Sequence, residues 1–248
     1  MIETAVEGHV ARVTLNKPEA HNALDQGSMR TLTDTLAEWA QNPELRVLVL
    51  TGRGRSFCSG ASLGDVADAD WTDNPLTLLC NRLETLPFAT VAALNGGVYG
   101  GGVDLALACD FRIGINGMRA FIPPARLGIH YEPDGIRRAI DRLGAQAARR
   151  LFLLAEAFQA DDLRGMGFLD RLVAPEALDE AAEEMAATLA GHAPLAMHGM
   201  KRTILELSAG TLDRDAARAR IAECFASTDH AEGLAAQRER RTPRFEGR

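Results

Sequence analysis

The sequence predicts a mixed α/β protein in which helices cover both faces of a sheet. In the first half, short apolar segments alternate with glycine-rich loops and amphipathic stretches, the pattern of strands followed by helices. From Asp134 onward almost every segment has helical periodicity. The 248 residues are 46% hydrophobic but only 5% aromatic, which suits closely packed helices in one large domain, or a domain with a smaller appendage.

The strands are predicted from alternating or continuous apolar runs. Alternating segments on either side of Glu7-Gly8-His9 indicate a hairpin, and the continuous runs indicate strands buried on both faces. After Asp134 only one short segment resembles a strand. The predicted strands are 2–6, 10–15, 47–50, 90–94, 110–115 and 172–173.

The helices are predicted from apolar periodicity and from their caps. Asp25 or Ser28 is expected to cap the first helix, and a helix should end before Pro194. We therefore place a soft boundary between residues 1–192 and residues 193–248. The predicted helices are 25–40, 76–86, 103–108, 136–143, 145–154, 161–167, 176–190, 195–207 and 216–226.

Composition excludes several classes of function. A net charge of −7 argues against a nucleic-acid-binding surface. No apolar run reaches about 18 residues, so no membrane span is expected, and no basic and apolar leader opens the chain. The four cysteines are scattered without metal-ligand spacing, which predicts reduced thiols in a cytoplasmic protein with no metal site.

Two glycine-rich segments, 57–63 and 95–104, follow predicted strands and are candidates for chemistry. Glycines that open a helix leave unpaired backbone N–H groups at the positive end of the helix dipole, where an anion or a developing oxyanion can bind. A phosphate cradle is the rival interpretation, although neither GxxxxGK[ST] nor GxGxxG occurs. A purely structural alternative is that the glycines only permit close helix packing.

Motifs along the whole chain, in the same order, resemble those of the crotonase family, the enoyl-CoA hydratases and isomerases. They are NKPEAHNAL at 16–24, VLTG at 49–52, FCSGA at 57–61, ALNG at 93–96, GGG at 100–102, LALACD at 105–110, LGI at 127–129, GMGFLD at 165–170 and RRTPRF at 240–245. The resemblance implies a spiral of ββα units in residues 1–192. It also implies a helical trimerisation module in residues 193–248, hence a homotrimer or a dimer of trimers.

The resemblance further implies an acyl-CoA substrate and an oxyanion hole formed by two backbone amides. Matched position by position, these amides belong to Ala61 and Gly101. Ser62 replaces the aspartate that usually follows the alanine, which should alter loop anchoring rather than the amide. Coenzyme A is carried as part of the substrate, so no separate cofactor and no metal are expected.

The family's coenzyme A slot maps onto the segment after the first hairpin and the loop around the oxyanion residue. Lys17 could reach a phosphate, but an exposed loop lysine is an equal alternative. The implied coenzyme A-binding residues are Lys17, Ala20, His21, Ala23, Ser59, Ser62 and Leu63.

The catalytic carboxylates depart from the hydratase pattern. Of the two glutamates that hydratases use, the first is replaced by the shorter Asp104 and the second by Ala125, which cannot titrate. Some isomerases of the family instead place one acid five residues after the Leu-Gly leucine, and that position holds Glu132. The base is therefore Glu132, Asp104 or neither. As a structural alternative, Glu132 and Asp134 could cap the following helix, and Asp104 could be a first-turn acid.

The carboxylate pattern favours double-bond isomerisation of an enoyl-CoA over hydration, since isomerisation needs only one base. Two alternatives remain open: a catalytically silent acyl-CoA-binding paralogue, and a partner-binding protein that has lost the ligand too. His130 and Tyr131 are weaker candidates as hydrogen-bond donors to the substrate.

Overall fold

The computed structural model describes residues 2–62 and 74–248, so the predicted coenzyme A contact Leu63 lies outside the described residues. Its strands form two sheets, one of six strands and one of four. The strands are β1 (Ile2–Glu7), β2 (Val10–Leu15), β3 (Val47–Gly52), β4 (Ser56–Cys58), β5 (Ala89–Leu94), β6 (Gly97–Tyr99), β7 (Phe111–Ile115), β8 (Arg119–Phe121), β9 (Phe158–Gln159) and β10 (Arg171–Val173).

Nine of the described helices lie close to their predicted positions, whereas the helices at Pro124–Leu127 and Thr228–Glu239 were not predicted. Asp25, rather than Ser28, caps α1, because its side chain accepts a hydrogen bond from the Ser28 amide. The helices are α1 (Gln26–Trp39), α2 (Pro75–Glu84), α3 (Gly101–Ala108), α4 (Pro124–Leu127), α5 (Pro133–Leu143), α6 (Ala145–Phe152), α7 (Ala160–Gly165), α8 (Leu178–Ala190), α9 (Pro194–Ser208), α10 (Arg214–Ala226) and α11 (Thr228–Glu239).

The two sheets are built by a repeated strand–strand–helix unit. The larger sheet has the order β1-β2-β3-β5-β7-β10, and the smaller has the order β4-β6-β8-β9. Each of the successive units β3-β4-α2, β5-β6-α3 and β7-β8-α4 gives its first strand to the larger sheet and its second strand to the smaller one. All strand pairs between these units are parallel. The mixed α/β fold and the spiral of ββα units are thus confirmed.

The strands of the smaller sheet are the elements that sequence analysis missed. Residues 52–64 were expected to form a loop and 95–102 a turn, yet β4 and β6 lie within them. Phe158–Gln159 also contradicts the expectation of a single strand-like segment after Asp134. Strands of two or three residues are too short to show a period of two, so they form only because neighbouring units stack.

The central strands β3, β5 and β7 of the larger sheet are buried on both faces, as the continuous apolar runs predict, whereas the edge strand β1 is mostly exposed. One face packs into the main core, and α8 covers the other, where its small side chains contact β3, β5 and β7. The division into residues 1–192 and 193–248 stays a prediction, although α8 ends at Ala190 and α9 begins at Pro194. No helix among the described residues is long and apolar enough to cross a bilayer.

Candidate active site

One cavity of about 1110 Å³ lies where the ends of β4 and β6 meet the first turns of α2 and α3. The segment between β8 and α5 forms its opposite wall. Ala61, Gly101, Asp104 and Glu132, the four residues that the resemblance assigns to catalysis, all line this cavity. Most of its surface is apolar, as in sites that bind small organic ligands.

The amides of Ala61 and Gly101 lie close together because their two segments are in contact at Gly60. Gly60 has φ +84°, and a Cβ at this position would lie 2.5 Å from the Gly101 nitrogen. Only glycine tolerates both the conformation and the close approach. The Leu24 amide donates a hydrogen bond to the Gly60 carbonyl, at 2.8 Å, and the Leu24 carbonyl accepts one from the Ser62 amide, at 2.9 Å. The Ala61 amide, which lies between them, takes no part in this pairing.

Neither N–H group donates a hydrogen bond to any atom of the described residues. The Gly101 amide also opens α3, a helix whose interior is buried, so the positive end of its dipole points at the cavity. The chain therefore supplies two unpaired backbone donors to one apolar cavity, an arrangement suited to an oxygen that gains negative charge.

Asp104 forms an ion pair with Arg138. Its two carboxylate oxygens accept hydrogen bonds of 2.8 and 3.1 Å from the Nε and Nη2 atoms of Arg138, which is fully buried. Burial alone would lower the pKa of Arg138, but the hydrogen bonds and the charge of Asp104 raise it above its usual value. Both oxygens of Asp104 are therefore held by a permanent cation.

The same guanidinium connects three helices around the cavity. Arg138 of α5 also donates to Asn81 and Glu84 of α2, at 2.7 and 3.1 Å. Asn81 in turn donates to Asp134, at 2.6 Å, in the first turn of α5. This buried network holds α2, α3 and α5 together directly behind the cavity wall.

Glu132 has no such cation. It occupies the N-cap position of α5, but its side chain makes no capping hydrogen bond, so the capping alternative does not hold for this residue. It is half-buried, and within the described part of the chain its carboxylate has one polar contact, the Asn74 amide nitrogen at 3.4 Å from Oε1. Of the carboxylates that the described residues place on the wall, Asp104 is paired with Arg138 on both oxygens, whereas Glu132 has no cation beside it.

The remaining hydrogen-bond donors on this wall differ in burial. Burial raises the pKa of Tyr131 well above its usual value, the negative charge of Asp104 adds to this, and the phenol hydroxyl has no partner among the described residues. Its ring packs against Phe152 at 5.0 Å between centroids. His130 is exposed, with Nδ1 2.8 Å from the carbonyl oxygen of Tyr131.

The predicted coenzyme A contacts divide into two groups. Ala20, Ala23, Ser59 and Ser62 line the cavity. Lys17 and His21 are not among its lining residues, and the His21 ring instead lies 2.8 Å from the Ser56 hydroxyl.

Sequence analysis missed Asn74, Thr77 and Tyr99, which also line the cavity. The Asn-Pro pair at 74–75 was the available signal, because asparagine at the N-cap followed by proline is typical of a helix start. The hydratase position Ala125 is exposed and contributes nothing to the cavity wall.

Comparison with known proteins places the chain in one family. The family model described as enoyl-CoA hydratase/isomerase matches residues 5–248. The chain is 30% identical to the short-chain-enoyl-CoA hydratase of Clostridium acetobutylicum, over 95% of this chain and 93% of that protein. It is also 30% identical to the 2,3-dehydroadipyl-CoA hydratase of Escherichia coli, over 96% of each.

Solved structures agree. An enoyl-CoA hydratase/carnithine racemase from Magnetospirillum magneticum superposes with a TM-score of 0.93 at 27% identity, covering 100% of this chain and 96% of that one. A structure described as a putative enoyl-CoA hydratase from Streptomyces coelicolor gives 0.91 at 30% identity, covering 100% and 94%. The fold, the ordered motifs and these matches together show that the chain belongs to the enoyl-CoA hydratase/isomerase, or crotonase, family.

Proposed function

We propose that this enzyme binds an enoyl-CoA thioester in the cavity and moves its carbon–carbon double bond, with Glu132 as the only base. The observation that carries the proposal is the meeting, in one apolar cavity, of two backbone amides and one carboxylate, Glu132, that have no hydrogen-bond acceptor and no cation, respectively, among the described residues. Coenzyme A enters as part of the substrate, so the reaction needs no separate cofactor.

The reaction is a proton transfer through an enolate. Glu132 removes a proton from C2 of a 3-enoyl thioester, and the electron pair of the broken C–H bond moves onto the thioester oxygen. The amides of Ala61 and Gly101 stabilise the resulting oxyanion, each by about 3 kcal/mol by analogy with comparable sites. The dienolate then takes the same proton back at C4, which leaves a 2-enoyl thioester and restores the carboxylate.

Isomerisation is favoured over hydration because hydration requires a second group to activate water. The side chain of Asp104 is paired with Arg138 on both oxygens, and Ala125 has no titratable group. The names of the relatives favour the alternative, since two of them are hydratases.

The coenzyme A moiety is expected to leave the cavity along the edge formed by Ala20, Ala23, Ser59 and Ser62, where small side chains allow a close approach. Lys17 and His21, outside the cavity, remain candidates for contacts with the phosphates or the adenine. The proposed contact between Leu63 and coenzyme A rests on the sequence resemblance alone.

Assays of 3-enoyl-CoA isomerisation and 2-enoyl-CoA hydration with variant enzymes test the proposal. We expect Glu132→Gln to lower kcat for isomerisation by about 10²–10⁴-fold, the range for loss of a general base. Glu38→Gln is the matched control: it makes the same change at an exposed glutamate of α1 that does not line the cavity, and should leave kcat unchanged.

The alternatives give different results. Hydration without isomerisation would identify a hydratase. Micromolar binding of acyl-CoA without any turnover would identify the silent paralogue. Loss of isomerisation in Asp104→Asn, with a fold as stable as the wild type and with full activity in Glu132→Gln, would move the base to Asp104.

A further inference from the structure

Asn74 both caps a helix and lines the cavity. It is the N-cap residue of α2, and its Oδ1 atom accepts hydrogen bonds from the amides of Leu76 and Thr77, at 3.0 and 3.4 Å. These donors fix which end of the carboxamide is oxygen, because an NH₂ group cannot accept from a backbone N–H. The Nδ2 end must therefore point the other way.

The Nδ2 end points at Glu132. It lies 3.4 Å from Oε1 of Glu132, and both residues line the cavity. This distance is at the outer limit for a hydrogen bond, and such contacts often tighten only when substrate binds. Among the described residues, no other side chain holds the Glu132 carboxylate.

We infer that Asn74 is the positioning residue of Glu132: it holds Oε1 and leaves Oε2 directed at the acyl chain. This inference rests on the proposed function, in which Glu132 is the base. A glutamate side chain with one anchored oxygen loses fewer rotamers on reaching the reactive geometry.

The two other carboxylates near Glu132, Asp104 and Asp134, already have partners of their own. The Asp104 charge is paired with Arg138, and Asp134 accepts a hydrogen bond from Asn81. Within the described residues, the charged and titratable groups on the elements packed around Glu132 are Cys80, Arg82 and Glu84 of α2, Asp104 of α3, Asp134, Arg137, Arg138, Asp141 and Arg142 of α5, and His130 and Tyr131 of the preceding loop.

Variants at position 74 can separate the cap from the donor. Serine and aspartate are N-cap residues as good as asparagine, so Asn74→Ser and Asn74→Asp keep α2 capped. Serine removes the donor, and aspartate replaces it with a negative charge. Asn74→Ala removes both cap and donor, and serves as the control for loss of the cap.

Two measurements report on the position of the base. The first is the separation of kcat from KM in the isomerisation assay. Loss of the donor should lower kcat by about tenfold in Asn74→Ser and by more in Asn74→Asp, with KM unchanged, because a misplaced carboxylate still leaves the thioester bound. The second is a crystal structure with acetoacetyl-CoA, in which Nδ2 of Asn74 should lie within about 3.2 Å of a Glu132 oxygen in the wild type, and the Glu132 carboxylate should leave that position in Asn74→Ser.

The inference is overturned if kcat is the same in the wild type, Asn74→Ser and Asn74→Asp, or if the Glu132 carboxylate occupies the same position in the crystal structures of the wild type and Asn74→Ser. It is also overturned if activity falls only in Asn74→Ala, in proportion to its lower melting temperature, because that is the behaviour of a cap alone. Absence of turnover in the wild type would refute the proposed function but leave the crystal structures able to decide this inference.

Discussion

Asp104 and Glu132 carry the same charge on the wall of one cavity, but their surroundings give them different chemistry. Two hydrogen bonds from Arg138 occupy Asp104, whereas Glu132 contacts only a neutral amide among the described residues. Sequence resemblance could name both residues. It could not rank them, because Arg138 lies 34 positions from Asp104 and pairs with it only once α3 and α5 pack together.

Tyr131 gives a prediction about stability at the same scale. Its hydroxyl is buried without a partner in the described residues, which costs free energy, while its ring packs against Phe152. Tyr131→Phe removes the hydroxyl and keeps the ring, so we expect the free energy of unfolding, measured in urea, to rise by about 1 kcal/mol. A loss of stability of that size would mean that the hydroxyl has a partner in solution.

At the scale of elements, α2, α3 and α5 act as one unit because their buried charges are shared. Glu84 accepts from both Arg137 and Arg138, and Asp104 accepts from Arg138 alone. The helices themselves were predictable from apolar periodicity and caps. The short strands β4, β6, β8 and β9 were not, since their residues gain strand partners only from the neighbouring units of the spiral.

Loss of the ion pair between Arg138 and Asp104 should lower the free energy of unfolding. Arg138→Met leaves Asp104 buried without its cation, and we expect the free energy of unfolding to fall by about 3–5 kcal/mol. The double variant Arg138→Met/Asp104→Leu removes both charges and should recover much of this loss. Urea denaturation of the single and double variants measures the coupling. Strictly additive effects would show that the pair contributes no coupling.

At the scale of the molecule, α9, α10 and α11 carry several large apolar side chains that are exposed in the single chain. Ile204 is 61% exposed and Phe225 is 67% exposed. The other large apolar side chains exposed on these helices are Met200, Leu207, Ile221 and Leu234. Large apolar side chains clustered on exposed helices typically mark a protein interface. It agrees with the homotrimer or dimer of trimers that the sequence resemblance implies, and the oligomeric state stays a prediction.

Light scattering coupled to size-exclusion chromatography tests the assembly. We expect a mass of three or six chains of 26.7 kDa for the wild type. Phe225→Asp should shift this mass toward the monomer, because it places a charge on the exposed apolar face. Ala125→Asp, an exposed change that lies outside these helices and does not line the cavity, is the control. A monomeric wild type at micromolar concentration would contradict the prediction.

The central claim is that a thioester oxygen binds between the amides of Ala61 and Gly101 while Glu132 faces the reacting carbons. A crystal structure with an enolisable ligand, acetoacetyl-CoA, tests it most directly. We predict the thioester oxygen at about 2.7–3.1 Å from both nitrogens, with a Glu132 oxygen beside C2. A thioester oxygen directed at solvent, or bound to only one of the two amides, would contradict the account.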